Sequence, residues 1–344
     1  MTKPPVRLLI VDDSETMCLF IASVVRTDPE IEVVGFAGDP TEAREAIKRL
    51  NPDVITLDIE MPRMNGLEFL EKIMRLRPTP VIMVSSLTQE GAEVSLRALE
   101  IGAVECVAKP SVTNMSSLDS LADLVKAAAK SRNVVRRNSA VDSGEPEEYA
   151  PDGRIIGIGA STGGVEALIR IISEFPKNCP PTIISQHMPA TFTRSFAQRL
   201  NKLSKAEVME AVDGAPLVTG HVYLAPGNHH LEVTKGTTPR CRLSDADRVN
   251  GHRPSVDVML KSLEHHGERS IGVILTGMGR DGAEGLLGLR RAGAMTLGQD
   301  ESSSVVYGMP KVAFEIGAVT RQYSLDRMAA QLLQISNAKR KDHT

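Results

Sequence analysis

The chain has 344 residues, 42% of them hydrophobic, and a formal net charge of −3; it is long for one compact unit and apolar enough for two cores. Aromatic residues make up only 3%, with no tryptophan, so these cores must be built from Val, Ile, Leu, Ala and Met, which suits parallel α/β sheets. Four widely spaced cysteines, Cys18, Cys106, Cys179 and Cys241, include no C-x-x-C pair, which excludes a zinc knuckle or a disulfide framework and points to a reducing compartment. No apolar run approaches the ~20 residues of a spanning helix, so a cytoplasmic chain with no membrane insertion is expected.

Strand-like and helix-like segments alternate over the first 120 residues at the spacing of βα units. Leu8 to Val11 runs into Asp12-Asp13-Ser14 and a helical stretch; Val33 to Phe36 precedes a helix starting near Pro40; then come Val54 to Asp58, Val81 to Ser86, and Val104 to Pro110. Five strands with intervening helices predict a doubly wound (βα)5 domain. Its strand ends carry Asp12, Asp13, Asp58, Ser85 and Lys109. An Asp-Asp pair alone after a strand could be a helix cap, but three convergent carboxylates repel one another unless a divalent cation neutralises them. Mg²⁺ is the natural ion, being hard, oxygen-seeking and able to bridge to phosphate. With the metal and Lys109 stabilising charge, a carboxylate can act as nucleophile toward a phosphoryl group, and Ser85 would hydrogen-bond the product.

These residues and spacings resemble a response-regulator receiver domain, which implies that Asp58 is the phospho-acceptor, that Asp12, Asp13 and Asp58 hold Mg²⁺, and that Ser85 and Lys109 support phosphorylation. The Asp58 to Gly66 loop is receiver-like as well. One position departs: receivers usually carry an aromatic three residues before the lysine, and this chain has Cys106. Leu118 to Lys130 has the spacing of a last receiver helix. Beyond it the sequence turns polar and turn-rich, as a linker does. Arg132, Arg136 and Arg137 next to an acidic run read as part of that tether, and no recognition-helix pattern follows, so nucleic acid is not an expected partner. The domain bounds read from the sequence are 1–125 for the receiver, 126–150 for the linker and 151–344 for the second domain.

The second domain opens on a strand-like run ending in Gly157-Ile158-Gly159-Ala160-Ser161-Thr162-Gly163-Gly164. Gly159 to Gly163 fits G-x-S-x-G, where small residues permit a tight strand-to-helix turn that bares the serine hydroxyl. A lone serine there is more often an N-cap. However, Ile183-Ile184-Ser185-Gln186-His187 brings a histidine to the end of another strand, and Leu275-Thr276-Gly277-Met278-Gly279-Arg280-Asp281-Gly282 brings an aspartate to the end of a third. Together they make a Ser-His-Asp set at the carboxyl edge of a doubly wound, mostly parallel α/β serine-hydrolase sheet, in a chain order unlike that of α/β-hydrolases. Ser161 would attack an acyl carbonyl, His187 would take its proton, and Asp281 would hold the imidazole. The backbone amide of Met278, with Thr162 adding an amide or hydroxyl, would stabilise the oxyanion. No cofactor is required for that step. His229-His230 and His265-His266 lack metal-ligand spacing and are not expected to bind metal.

A receiver followed by these three motifs resembles the chemotaxis protein-glutamate methylesterase (CheB) family over the whole chain. Val222 to His229, Arg253-Pro254-Ser255-Val256-Asp257 and Gln299-Asp300 leading to Tyr307-Gly308-Met309-Pro310 agree with it. The resemblance implies a phosphorylation-activated hydrolase of glutamate γ-methyl esters on methyl-accepting chemoreceptors, deamidating receptor glutamines as well, with a chemotaxis-type histidine kinase as phosphodonor. A monomer is expected. Two other classes are open to the sequence: a receiver-linked esterase or amidase outside chemotaxis, and a non-enzymatic binding module, against which the intact Ser161, His187 and Asp281 argue. Residues 1–120 hold 12 basic and 19 acidic side chains and residues 151–344 hold 23 and 19, so the hydrolase half suits an acidic receptor helix. The unphosphorylated receiver is expected to cover the mouth formed by Ser161, His187 and Met278 through segments 91–101, 104–108 and 118–130.

Overall fold

The computed structural model describes residues 4–61, 65–85, 89–110, 118–131 and 149–339. The chain divides into two compact units, Met1–Val135 and Arg136–Thr344. Most of the expected linker, including Arg132, Arg136 and Arg137, lies outside the described residues.

In the first unit, five strands, β1 (Val6–Val11), β2 (Ile31–Ala37), β3 (Val54–Asp58), β4 (Val81–Ser85) and β5 (Glu105–Ala108), alternate with α1 (Glu15–Val25), α2 (Pro40–Leu50), α3 (Gly66–Leu76), α4 (Gln89–Ile101) and α5 (Leu121–Lys130). All strands are parallel, in the order β2-β1-β3-β4-β5. β3 and β4 are buried at every residue, as strands covered on both faces by helices must be. Helix starts follow from local chemistry. Asp39 accepts from the amides of Thr41 and Glu42 ahead of Pro40, and Ser14 accepts from Met17, which satisfies donors the first turn leaves unpaired. The chain leaves β1 toward β2 on one side and β3 on the other, so Asp12 and Asp58 flank the switch point where such sheets place their sites.

The second unit contains seven parallel strands in the order β14-β13-β12-β6-β7-β9-β8: β6 (Ile155–Ala160), β7 (Thr182–Gln186), β8 (Glu207–Glu210), β9 (His221–Leu224), β12 (Ser270–Ile274), β13 (Met295–Gln299) and β14 (Arg321–Tyr323). A separate antiparallel ribbon pairs β10 (His230–Val233) with β11 (Cys241–Ser244). The flanking helices are α6 (Gly164–Ser173), α7 (Ala190–Leu203), α8 (Val256–Leu263), α9 (Ala283–Arg291), α10 (Met309–Glu315) and α11 (Leu325–Ile335). β6 is buried throughout. At Gly159 an added Cβ would stand 2.0 Å from Val256 Cγ1, so glycine is what lets α8 sit directly on the central strand. The core is aliphatic, with Met259, Leu260, Leu263, Ile274, Leu286 and Leu289 all fully buried. From β6 the chain moves first to β7, then to the edge strand β8 and back to β9 between them, and then crosses to β12, β13 and β14, which makes the β6–β12 junction the switch point of this sheet.

Candidate active site

Ser161 follows β6, His187 follows β7, and Asp281 lies in the loop after β12, so three neighbouring strands deliver the three side chains to one edge. Ser161 is fixed through its backbone. Its amide donates to the Thr276 carbonyl at 3.0 Å, while its carbonyl accepts from the Gly164 amide at 2.7 Å and from Gln186 Nε2 at 2.9 Å. Gly163 makes the turn into α6 with φ of +78°, and a Cβ there would meet Val305 at 2.6 Å. The left-handed turn and the tight space both demand glycine.

Asp281 is 1% exposed and accepts from His187 Nε2 at 2.8 Å, Ser255 Oγ at 2.8 Å, Asn250 Nδ2 at 3.0 Å, and the amides of Val256 and Asp257 at 2.7 and 3.3 Å. The two amides belong to the first turn of α8, whose N-terminal dipole favours a negative charge. Burial pushes the Asp281 carboxyl up, but the His187 bond and charge, the Asn250 amide and the Val256 amide outweigh it and hold the group well below the usual carboxylate range. Asp281 is therefore a permanent anion. Since it takes Nε2 of His187, Nδ1 is the nitrogen left for proton transfer, and Nδ1 is buried without a hydrogen-bond partner among the described residues. No hydrogen bond joins Ser161 Oγ to the ring among those residues. His187 is anchored beside the serine strand by its amide, which donates to the Ala160 carbonyl at 3.1 Å.

Met278 is partly buried in the glycine loop, and Thr162 is buried at the mouth of α6. Neither amide donates to a group among the described residues, so both are available to a developing oxyanion. Thr162 also receives the Thr276 hydroxyl on its carbonyl at 2.9 Å. Thr276 in turn donates its amide to Gln299 Oε1 at 2.8 Å, so Gln299 braces the loop that holds Ser161. Gln186, Ser255 and Gln299 were legible only as parts of family-like stretches or strand ends. Asn250 and His252 carried no signal beyond the Asn250-Gly251 turn dipeptide. The His252 ring lies on the His187 ring, with centroids 3.7 Å apart and planes 8° from parallel. His230 and His266 donate or accept locally, His230 between the Ser255 amide and the Asp247 carbonyl and His266 at the Thr234 carbonyl.

In the receiver, ligand atoms of Asp12, Asp13 and Asp58 lie within 4.8 Å of one another. Lys109 Nζ stands 3.1 Å from Asp12 Oδ2 and 2.7 Å from Asp58 Oδ2. Three carboxylates against one ammonium leave a surplus of negative charge, and the donors are all hard oxygens, which fits a divalent ion such as Mg²⁺. Burial raises the Asp58 carboxyl above its usual range, with the Asp12 charge adding to it and Lys109 opposing. Burial lowers Lys109, but bonds and charges from Asp58 and Asp12 outweigh it and raise the ammonium. The Lys109 amide donates to the Ser85 carbonyl at 2.8 Å, which ties β5 to β4 at the site. Cys106 sits behind it. Its thiol donates to the Ser95 carbonyl at 3.4 Å, and Ser95 Oγ reaches Ser85 Oγ at 3.4 Å. Burial first, and Glu105 next, push that thiol well above the usual range, so it stays a neutral thiol.

Comparison with known proteins agrees with both halves. Residues 156–332 match the family model for CheB methylesterase and residues 8–120 match that for the response regulator receiver domain. The chain is 58% identical over 342 residues to protein-glutamate methylesterase/protein-glutamine glutaminase 1 of Caulobacter vibrioides, covering 97% of this chain and 99% of that one. It is 57% identical over 342 residues to the protein of the same description, without the numeral, from Agrobacterium fabrum, covering 97% of each. The crystal structure of the Thermotoga maritima CheB methylesterase catalytic domain superposes with a TM-score of 0.52 at 38% identity, covering 53% of this chain and 98% of that one. With a matching receiver at its start and a matching methylesterase domain after it, the chain belongs to the CheB methylesterase family.

Proposed function

We propose that this protein hydrolyses glutamate γ-methyl esters of chemoreceptors, and deamidates receptor glutamines, by a Ser161-His187-Asp281 mechanism switched on by phosphorylation of Asp58. The observation that carries this reading is the His187–Asp281 pair at the switch point beside Ser161, with Nδ1 buried and unpartnered. Ser161 Oγ attacks the γ-carbonyl as its proton passes to His187 Nδ1. The oxyanion meets the amides of Met278 and Thr162, and Asp281 stabilises the imidazolium. The tetrahedral intermediate collapses, His187 returns the proton to the leaving group, and methanol departs from an ester or ammonia from an amide. Water, deprotonated by His187, then cleaves the acyl-enzyme to leave a glutamate carboxylate and free Ser161. One chemistry thus serves both substrates.

In the receiver, Asp58 is the nucleophile toward a phosphoryl donor, a chemotaxis-type histidine kinase. Asp12, Asp13 and Asp58 would hold Mg²⁺, which supplies charge neutralisation at the phosphoryl oxygens. Lys109 offsets negative charge and Ser85 offers its hydroxyl to the phosphorylated product. Residues 1–125, extended by the rest of α5 to Lys130 where the sequence had placed the start of the tether, act as this control domain and 151–344 as the hydrolase. No helix among the described residues is long and apolar enough to cross a membrane. Methanol release from membranes carrying methylated chemoreceptors, measured for wild type and Ser161→Ala, tests the reading; a variant as fast as wild type overturns it.

A further inference from the structure

The turn Val249-Asn250-Gly251-His252 holds both partners of the acid–base pair at once. Val249 and His252 exchange backbone hydrogen bonds at 3.1 and 2.9 Å, while Asn250 and Gly251 take φ of +52° and +81°, the geometry Asn-Gly favours in a two-residue turn. From that turn Asn250 Nδ2 donates to Asp281 Oδ1 at 3.0 Å and to Asp257 Oδ2 at 2.8 Å. Two residues on, the His252 ring lies flat on His187. Its nitrogens make no hydrogen bond to a described residue, so the stacked face is its specific contact. The flanking backbone is pinned as well: the Ser255 amide donates to His230 Nδ1 at 3.1 Å, and Ser255 Oγ donates to Asp281.

A single bond from Asp281 to Nε2 fixes one end of the His187 ring but leaves it free to pivot about that contact. Pivoting would swing Nδ1 away from the serine. We propose that His252 is a positioning residue for catalysis: as a flat wall against His187 it stops this pivot and holds the ring in the orientation from which Nδ1 takes the Ser161 proton when substrate binds. Burial in the first place, then the neighbouring His187, lower the His252 imidazole to about 4, so the wall is uncharged at neutral pH. A neutral π-face tolerates the imidazolium that forms as Ser161 reacts, whereas a second cation would repel it. The assignment rests on the serine mechanism proposed above.

The test is steady-state methanol release by the full-length protein from membranes carrying methylated chemoreceptors, for wild type, Ser161→Ala, His252→Ala and His252→Phe, with thermal melting of each. His252→Ala is expected to lower kcat on the order of 10- to 100-fold with KM unchanged, the scale of a misplaced catalytic group. His252→Phe, which keeps a flat neutral face but no ring nitrogen, is expected to recover most of that loss. Wild-type kcat in a folded His252→Ala overturns the proposal. So does a His252→Phe that melts like wild type yet is as slow as His252→Ala, because the nitrogens would then be what matters. Activity in Ser161→Ala would instead overturn the serine mechanism itself.

Discussion

The two sites use aspartates at the carboxyl edges of parallel sheets, and they treat them in opposite ways. In the hydrolase half one carboxylate, Asp281, receives five donors and its pKa is held low. In the receiver half three carboxylates cluster around one ammonium that pairs with two of them, Asp12 and Asp58, and burial raises Asp58. A carboxylate with every lone pair engaged cannot attack anything; it keeps its charge and orients its neighbour. A carboxylate left short of donors is poised to be modified once a cation arrives. The same side chain at the same kind of sheet edge is thus a fixed anion or a nucleophile, according to how many hydrogen bonds the surrounding loops bring.

The comparison breaks most sharply if the saturated aspartate proves dispensable. Ser161→Ala and Asp281→Asn are each expected to lower methyl-ester hydrolysis by about 10⁴-fold, the scale for losing a nucleophile or imposing the wrong imidazole tautomer; single-turnover methanol release measures it. Asp281→Asn within a few-fold of wild type would end the fixed-anion role. Next in size is the receiver. A small phosphodonor with Mg²⁺ is expected to label Asp58, chelation to prevent it, and the esterase rate to rise with labelling. Borohydride trapping and mass spectrometry read the position, and label on Asp12 or Asp13 with Asp58 unmodified would reverse the assignment. If the receiver restrains the hydrolase, a fragment from about residue 150 should outpace the unphosphorylated full-length protein; an equal or slower folded fragment would favour activation by recruitment instead.

A smaller effect concerns pH. His252 faces His187, Asp281 and Arg248, and its pKa falls from 6.5 in the unfolded chain to about 4 in the fold. Between those values the unfolded chain binds the extra proton, so stability present above pH 6.5 is lost as pH falls toward 4. Asp281, depressed below 3.8, loses its contribution only at still lower pH, so the two windows separate. Urea unfolding at pH 7 and pH 4.5 should show a smaller pH loss in His252→Phe than in wild type; an identical loss would mean that His252 is charged in the fold. The smallest effect is expected from Cys106→Ser. A serine can keep the bond to the Ser95 carbonyl, and no thiolate is available at that site, so Asp58 phosphorylation rates should match wild type. A large change would give Cys106 a part in receiver signalling.

Both doubly wound sheets could be anticipated, though not their strand orders, because a βα unit leaves its mark in consecutive residues: an apolar run, a polar residue at its end, then a helical period. The site residues that terminate strands or open helices, Asp12, Asp58, Lys109, Ser161 and His187, stand out for the same reason. Asp281 did so through its glycine-rich loop. Even the last receiver helix was visible, although its regular α-turns begin at Leu121 and Leu118 lies in a preceding 3₁₀ turn.

What the sequence by itself determined is the set of reactive groups and the sheet edges that carry them, since these depend on local periodicity and spacing. Tertiary structure alone decided which nitrogen of His187 meets Asp281, that Asp281 caps α8, and that Asn250 and His252 close on the pair from a turn more than 60 residues beyond His187 and about 30 before Asp281. Hydrogen bonds and ring stacking between loops depend on where β12 and β7, two places apart in the sheet, end in space. No window of sequence contains that distance; the packing of α8 against Gly159 sets it.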